Sequence, residues 1–389
     1  MASPLELLFD LVFVVAVSQA SQNLYVLLAE GRVAEAVTSY AVVFFAVWWA
    51  WMNFTWFASA FDNDDWLYRL LTVVQMGGVL VLASGVQSAM LHGDAVIAVW
   101  GYVIMRFAMV GQWSRAFASD PATRAISSRY AIGITAIQLL WIARVYLLDE
   151  RWQLWSFFVL AACEVLVPVW AERRSATRPN PHHIADRYGL FTLILLGESI
   201  LASATAVIRA LQSGEHTPEL LALAVAGLIV VAGMWWAYFA FPNARRLTSA
   251  RASFLFGYGH FVVFAAAGAA SAGFEVAIDG VVGSPLLSPA AVGLTLSLPI
   301  AIFFAGVWAL LLRGALSVPS SAILLASSVA IAAAGALQSF GVVVTLVVIV
   351  AATLGIVVML EVDATRRSRR GPTITPAGRS SPPERSTAR

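Results

Sequence analysis

No lysine occurs in this chain of 389 residues; all 24 basic side chains are arginine. Cysteine is limited to Cys163, histidine to five positions, and charged residues of both signs make up only 12% of the total. Each scarcity excludes something. A lone cysteine within an apolar stretch closes no internal disulfide and builds no cysteine metal cluster. His182 and His183 are adjacent and followed by Asp186, but neighbouring imidazoles do not easily reach one ion, and no further cysteine or histidine lies close in sequence. They are read as anchoring a loop at the membrane interface, and neither a metal nor a cofactor is expected. The lack of lysine beside abundant Ala, Val and Gly suggests a GC-rich bacterial genome.

What is abundant is hydrocarbon. Hydrophobic residues make up 60% of the chain and its mean hydropathy is +0.81, a balance that no water-soluble core can hide. Apolar runs of about 20 residues, the length that crosses a hydrocarbon core of roughly 30 Å, follow one another almost end to end. They predict an all-α integral membrane protein with spans near 5–29, 35–58, 66–91, 94–118, 128–148, 152–172, 184–210, 219–241, 252–274, 289–313, 319–338 and 341–362. Pro299 and several glycines soften the boundaries of the tenth and eleventh. The runs do not alternate as barrel strands would. The first lacks a basic leader and a cleavage site, so it is read as a retained helix.

Arginine placement sets an expected orientation. With the N-terminus in the cytoplasm, inner loops carry Arg115, Arg124, Arg129, Arg173, Arg174, Arg178, Arg187, Arg245, Arg246, Arg251 and Arg313, and outer loops only Arg32, Arg151 and Arg209. Residues 363–389, basic and rich in Pro and Ser, are expected to form a disordered cytoplasmic tail that acts as a positive-inside stop. Partners are then the bilayer of a bacterial inner membrane and a small ion or solute, with homo-oligomer formation left open. No nucleic acid is expected.

The chain also resembles itself. "LLFDLVFVVAVSQAS" (7–21) aligns with "GLFTLILLGESILAS" (189–203), and "AVWWAWMNF" (46–54) with "GMWWAYFAF" (233–241). The third helix of each set then pairs Gln75 with His260. Spans 4 to 6 and 10 to 12 show no comparable match. An even number of helices per unit preserves orientation, so two parallel six-helix repeats are expected, 1–172 and 184–362, joined by a cytoplasmic linker 173–183.

Charges inside spans are the candidates for chemistry, since each costs at least about 2.5–3.5 kcal/mol on insertion scales and should face a partner or a wet cavity. Ser3-Pro4-Leu5-Glu6 reads as a capping box with proline at the first helical position. Asp10 lies too deep to cap, on a face continued by Ser18, Ser21, Gln22 and Tyr25, and Arg69 at similar depth in the third span is its expected partner. Nearer the midplane stand Arg106, Glu164 and Glu198, with Gln75 and His260 somewhat nearer the cytoplasm. Arg106 can pair with Glu164 or with Glu198. Glu198, between Gly197 and Ser199 and followed by Ser203 and Thr205, is the preferred transport-path carboxylate. Arg144, nearer the outer end, is read as snorkelling.

Two long segments, "PLELLFDLVFVVAVSQ" and "HHIADRYGLFTLILLGESIL", resemble the signatures of the bacterial low temperature requirement A family, and "WWAWMNFTWFASAFDNDD" is similar to the same family. The resemblance covers nearly all of residues 1–362. It implies a multi-pass inner-membrane protein and places Glu6, Asp10, Arg187, Gly197 and Glu198 inside family motifs, with Asp186 where the family would have Glu. "FDLVF" is also weakly similar to the Phe-Ser-Asp motif opening each repeat of a family of endolysosomal and bacterial potassium channels. The leading expectation is a channel or secondary transporter and not an enzyme. The alternatives are a membrane enzyme acting on lipid or prenyl substrates, for which no convergent acid, base or metal set is found, and a non-catalytic scaffold or sensor.

Overall fold

Short polar or glycine-bearing connections punctuate a chain that is otherwise helical. The computed structural model describes residues 3–61, 64–173, 177, 180–242, 247, 249–283 and 286–370. Among these residues there is no strand, and twelve helices are long and apolar enough to cross a membrane. They are α1 (Pro4–Ala29), α2 (Val33–Ala60), α3 (Trp66–His92), α4 (Val96–Ser119), α5 (Arg124–Leu147) and α6 (Glu150–Ala171). The second set is α7 (Pro181–Ser213), α8 (Thr217–Phe239), α9 (Ala250–Val282), α10 (Pro289–Val307), α11 (Val318–Ala334) and α12 (Val342–Arg370). Each helix is antiparallel to the next, so odd-numbered helices start at the end that carries Pro4, called here the N-terminal end.

Helix ends follow local chemistry. Ser3 accepts from Glu6 N and Glu6 accepts from Ser3 N, closing the expected capping box. Asp65 caps α3 by accepting from Tyr68 N at 2.8 Å, and Ser288 and Ser317 cap α10 and α11 ahead of Pro289 and Pro319. The softness expected near the tenth and eleventh spans takes a definite form. Pro299 stays inside α10, which runs on into a π turn at Trp308–Leu312, and α11 tightens into a 3₁₀ turn at Gly335–Phe340. α12 continues to Arg370, beyond the expected tail boundary at 363, because Asp363 accepts from Ser320 Oγ at 3.0 Å and pairs with Arg367, whose guanidinium lies over Phe241. Residues 371–389, the rest of that tail, lie outside the described residues.

α1 packs on α2 and α3, α3 on α4, α4 on α5 and α5 on α6; in the second set α7 packs on α8 and α9, α9 on α10, α10 on α11 and α11 on α12. The α3–α4 and α9–α10 contacts are close enough to need glycine: a methyl on Gly101 would collide with the backbone of Leu82, and one on Gly273 with that of Thr295. α8 also lies along α12. Between the two sets, α1 rests against α9 and α7, and α2 against both. α9 is the most enclosed helix, with Val263, Phe264, Ala267, Ala270, Val276 and Ile278 fully buried.

Candidate functional site

Charge collects where α1 and α7 begin side by side. Glu6 and Asp10 stand four residues apart on α1, and His183 and Arg187 four apart on α7, so each helix presents two polar groups on one face. Arg187 is wholly buried and donates to Asp10 through two nitrogens, Nε to Oδ2 at 3.0 Å and Nη2 to Oδ1 at 2.6 Å. Its Nη1 lies 3.1 Å from Glu6 Oε1. His183 Nε2 is 3.1 Å from the other oxygen of Glu6, and the buried Trp51 of α2 donates its indole N–H to Asp10 at 2.7 Å. One guanidinium thus bridges two carboxylates from the other half of the chain. Bidentate arginine–carboxylate geometry of this kind is among the stronger polar contacts a protein makes, and removing one partner of such a buried pair costs roughly 3–5 kcal/mol.

Aromatic rings wall this cluster. Trp51 stacks on Phe191 with centroids 4.3 Å apart, and Phe9 meets Phe54 at 3.9 Å. His260 lies behind them, its ring edge-on to Tyr188. The Phe256 carbonyl, 2.6 Å from Nδ1, can only accept, so Nδ1 holds a proton and a neutral ring takes the Tyr238 hydroxyl at Nε2, 3.0 Å away.

The interface stays apolar for the next interval and then turns polar again. Asp10 and Ser18 are separated by eight residues, or ~12 Å of helix rise. In that interval Phe13 and Val17 of α1 and Phe191 and Leu195 of α7 are fully buried. Beyond it the Ser18 hydroxyl donates to Glu198 Oε2 at 2.8 Å. Both residues are half-buried, and an added side chain at the neighbouring Gly197 would meet nothing within 4 Å. Among the described residues no cation pairs with Glu198. Further along, Ser21 donates to the Gly268 carbonyl at 3.0 Å, and the far end closes on Tyr25, Asp279 and Arg209, where Arg209 Nη1 lies 2.6 Å from Asp279.

The structure redistributes the expected pairs. Asp10 does not face Arg69, which lies exposed and binds Asp64 at 2.7 Å. The two have similar depth, but Arg69 points off the bundle while Arg187 enters from α7. Of the two carboxylates open to Arg106, Glu164 takes it at 3.0 Å, with the Tyr102 hydroxyl donating to the same carboxylate. This pair ties α4 to α6, away from the α1–α7 interface. Gln75 bonds Gln112 at 3.2 Å and joins α3 to α4. Arg144, read as snorkelling toward the outer end, sends its guanidinium to the start of α6, where it is buried and donates to the Gln153 carbonyl and Ser156. Sequence reasoning passed over Trp51 as a ligand of Asp10 and set His183 aside as a loop anchor. The matching four-residue spacings of Glu6–Asp10 and His183–Arg187 were the available signal.

A twelve-span helical membrane protein with a bridged charge cluster and a mid-span carboxylate between its two halves is the class that fold and site define. The chain belongs to the bacterial low temperature requirement A family, whose description matches residues 1–360. It is also 29% identical over 285 residues to an uncharacterized protein of Rhizobium meliloti (strain 1021), covering 68% of this chain and 67% of that relative.

Proposed function

We propose that the protein moves a small cation or protons across a bacterial inner membrane along the α1–α7–α9 interface, with the N-terminal end in the cytoplasm, and that it is not an enzyme. The observation that carries this reading is Glu198. It stands well inside a membrane span, half-buried and held by Ser18. A carboxylate in that position is costly unless it is protonated or meets a mobile cation. Each end holds two carboxylates against one arginine, Glu6 and Asp10 with Arg187 at one end and Glu275 and Asp279 with Arg209 at the other, an acidic excess that favours a cation over an anion. The apolar interval of Phe13, Val17, Phe191 and Leu195 separates them and serves as a closed gate, of the kind that conducts only when wetted.

The duplicated-helix reading gives this path its place. α1–α2, α1–α3, α3–α4, α4–α5 and α5–α6 contacts have counterparts in α7–α8, α7–α9, α9–α10, α10–α11 and α11–α12. Parallel repeats put a path between the halves, where α1 meets α7 and α9. The test is reconstitution. Purified protein in sealed liposomes, given K⁺, Na⁺ or H⁺ gradients, is expected to dissipate at least one of them. Turnover of a lipid substrate in detergent with no gradient, and no flux in vesicles, would overturn the reading in favour of an enzyme.

A further inference from the structure

A cleft of about 490 Å³, partly open to the outside of the bundle, lies apart from the α1–α7–α9 interface and is lined by α2, α3, α4, α5 and α6. It starts at the end of the bundle opposite Pro4, near Glu35, Gly93 and Gln153, and reaches inward to Leu82, Tyr102 and Glu164. From Gln153 to Glu164 is ~16 Å of helix rise. Its size falls within the roughly 300–1,000 Å³ typical of ligand pockets. The walls are hydrocarbon and aromatic: Val42, Phe45, Val99, Trp141 and Phe157.

Three charges line this space: Glu35 at the mouth is paired with Arg32 at 2.6 Å, and the other two differ in kind. Glu164 at the inner end is already satisfied by Arg106 and Tyr102. Arg144, nearer the mouth, is nine-tenths buried, with its guanidinium 5.4 Å from the Trp141 ring and 6.0 Å from the Phe157 ring. Its hydrogen bonds go to a backbone carbonyl and a serine hydroxyl, which orient it without neutralising it. Among the described residues no carboxylate pairs with Arg144, whereas of the other deeply buried arginines Arg106 holds one and Arg187 two. A buried charge left without a counter-ion is costly, and a ligand anion arriving there recovers that cost.

The geometry points to a binding site for a single-chain amphiphile bearing one anionic group, its carboxylate or phosphate on Arg144 and its apolar chain along the α2–α6 walls. The shared chemistry is a hydrocarbon body ending in an oxyanion. A free fatty acid and a lysophospholipid phosphate both supply it.

The test uses the full chain in detergent with a photoreactive diazirine palmitate as probe, and peptide mass spectrometry to find the labelled residues. Saturable labelling is expected on α2 and α6 near Val42 and Leu154. Unlabelled palmitate should compete at least 10-fold better than palmitate methyl ester, which keeps the chain and lacks the charge. Lysophosphatidate is the second competitor, and whichever acid competes better names the source of the anion. Arg144→Gln should weaken competition by the acid at least 10-fold, Arg144→Lys only a few-fold, and Ala46→Trp, which fills the cleft, should abolish labelling there. Labelling that does not saturate, or that the ester blocks as well as the acid, would overturn the assignment. The acid–ester comparison needs no variant, so the test stands even if Arg144→Gln folds poorly.

Discussion

Asp10 receives a guanidinium on both oxygens and an indole on one, so its charge is balanced inside the protein by groups from α2 and α7. The pair therefore behaves as a unit. Asp10→Asn and Arg187→Gln are each expected to destabilise the protein by roughly 3–5 kcal/mol, and the double variant by less than the sum, with a coupling of about 1–3 kcal/mol in a thermal or denaturant cycle. Additive losses would show that the two residues act independently. Arg69→Gln should leave the melting temperature unchanged, since Arg69 and Asp64 pair in solvent. Depth along the helix was legible at this scale, because counting residues from a helix start locates a side chain along the membrane normal. Direction around the axis was not. Arg69 and Arg187 stand at comparable heights, and only the packing of α7 on α1 selects between them.

At the scale of helices, two features lead to expectations. Val17 lies seven residues after Asp10, nearly two turns on and on the same face of α1, inside the apolar interval. Val17→Thr keeps the shape and adds a hydroxyl, so it is expected to lower stability by about 1–3 kcal/mol while raising flux in liposomes several-fold. Unchanged flux would mean that the interval is packing alone. Gly101→Ala drives a methyl into the backbone of α3 and should separate α3 from α4, at a cost of about 1–3 kcal/mol or more. Gly197→Ala meets open space and should be neutral or slightly stabilising, so thermal unfolding of the two variants should differ in sign or nearly so. The existence of the spans was read from hydropathy, and their starts from Ser3, Ser288 and Ser317. The continuation of α12 to Arg370 was not, since its basic composition resembles a disordered tail and only Phe241, Ser320 and Asp363 reveal what holds it.

For the whole molecule, an even number of spans places both ends of the helical region on one side, and the orientation we propose from the arginine asymmetry has that side in the cytoplasm. Reporter fusions after residues 150, 215 and 280 should be active outside the cell, and those after 180, 248 and 365 silent; reversal at matched sites would invert the proposed orientation. The central claim is that Glu198 carries the transported charge between the two halves, and liposome flux of Glu198→Gln tests it most directly. The substitution keeps shape and the Ser18 contact, and Glu198 holds no ion pair among the described residues, so folded yield should match the wild type. Cation- or proton-driven flux should fall to the level of protein-free vesicles. A stable Glu198→Gln protein that still conducts at the wild-type rate would contradict the account.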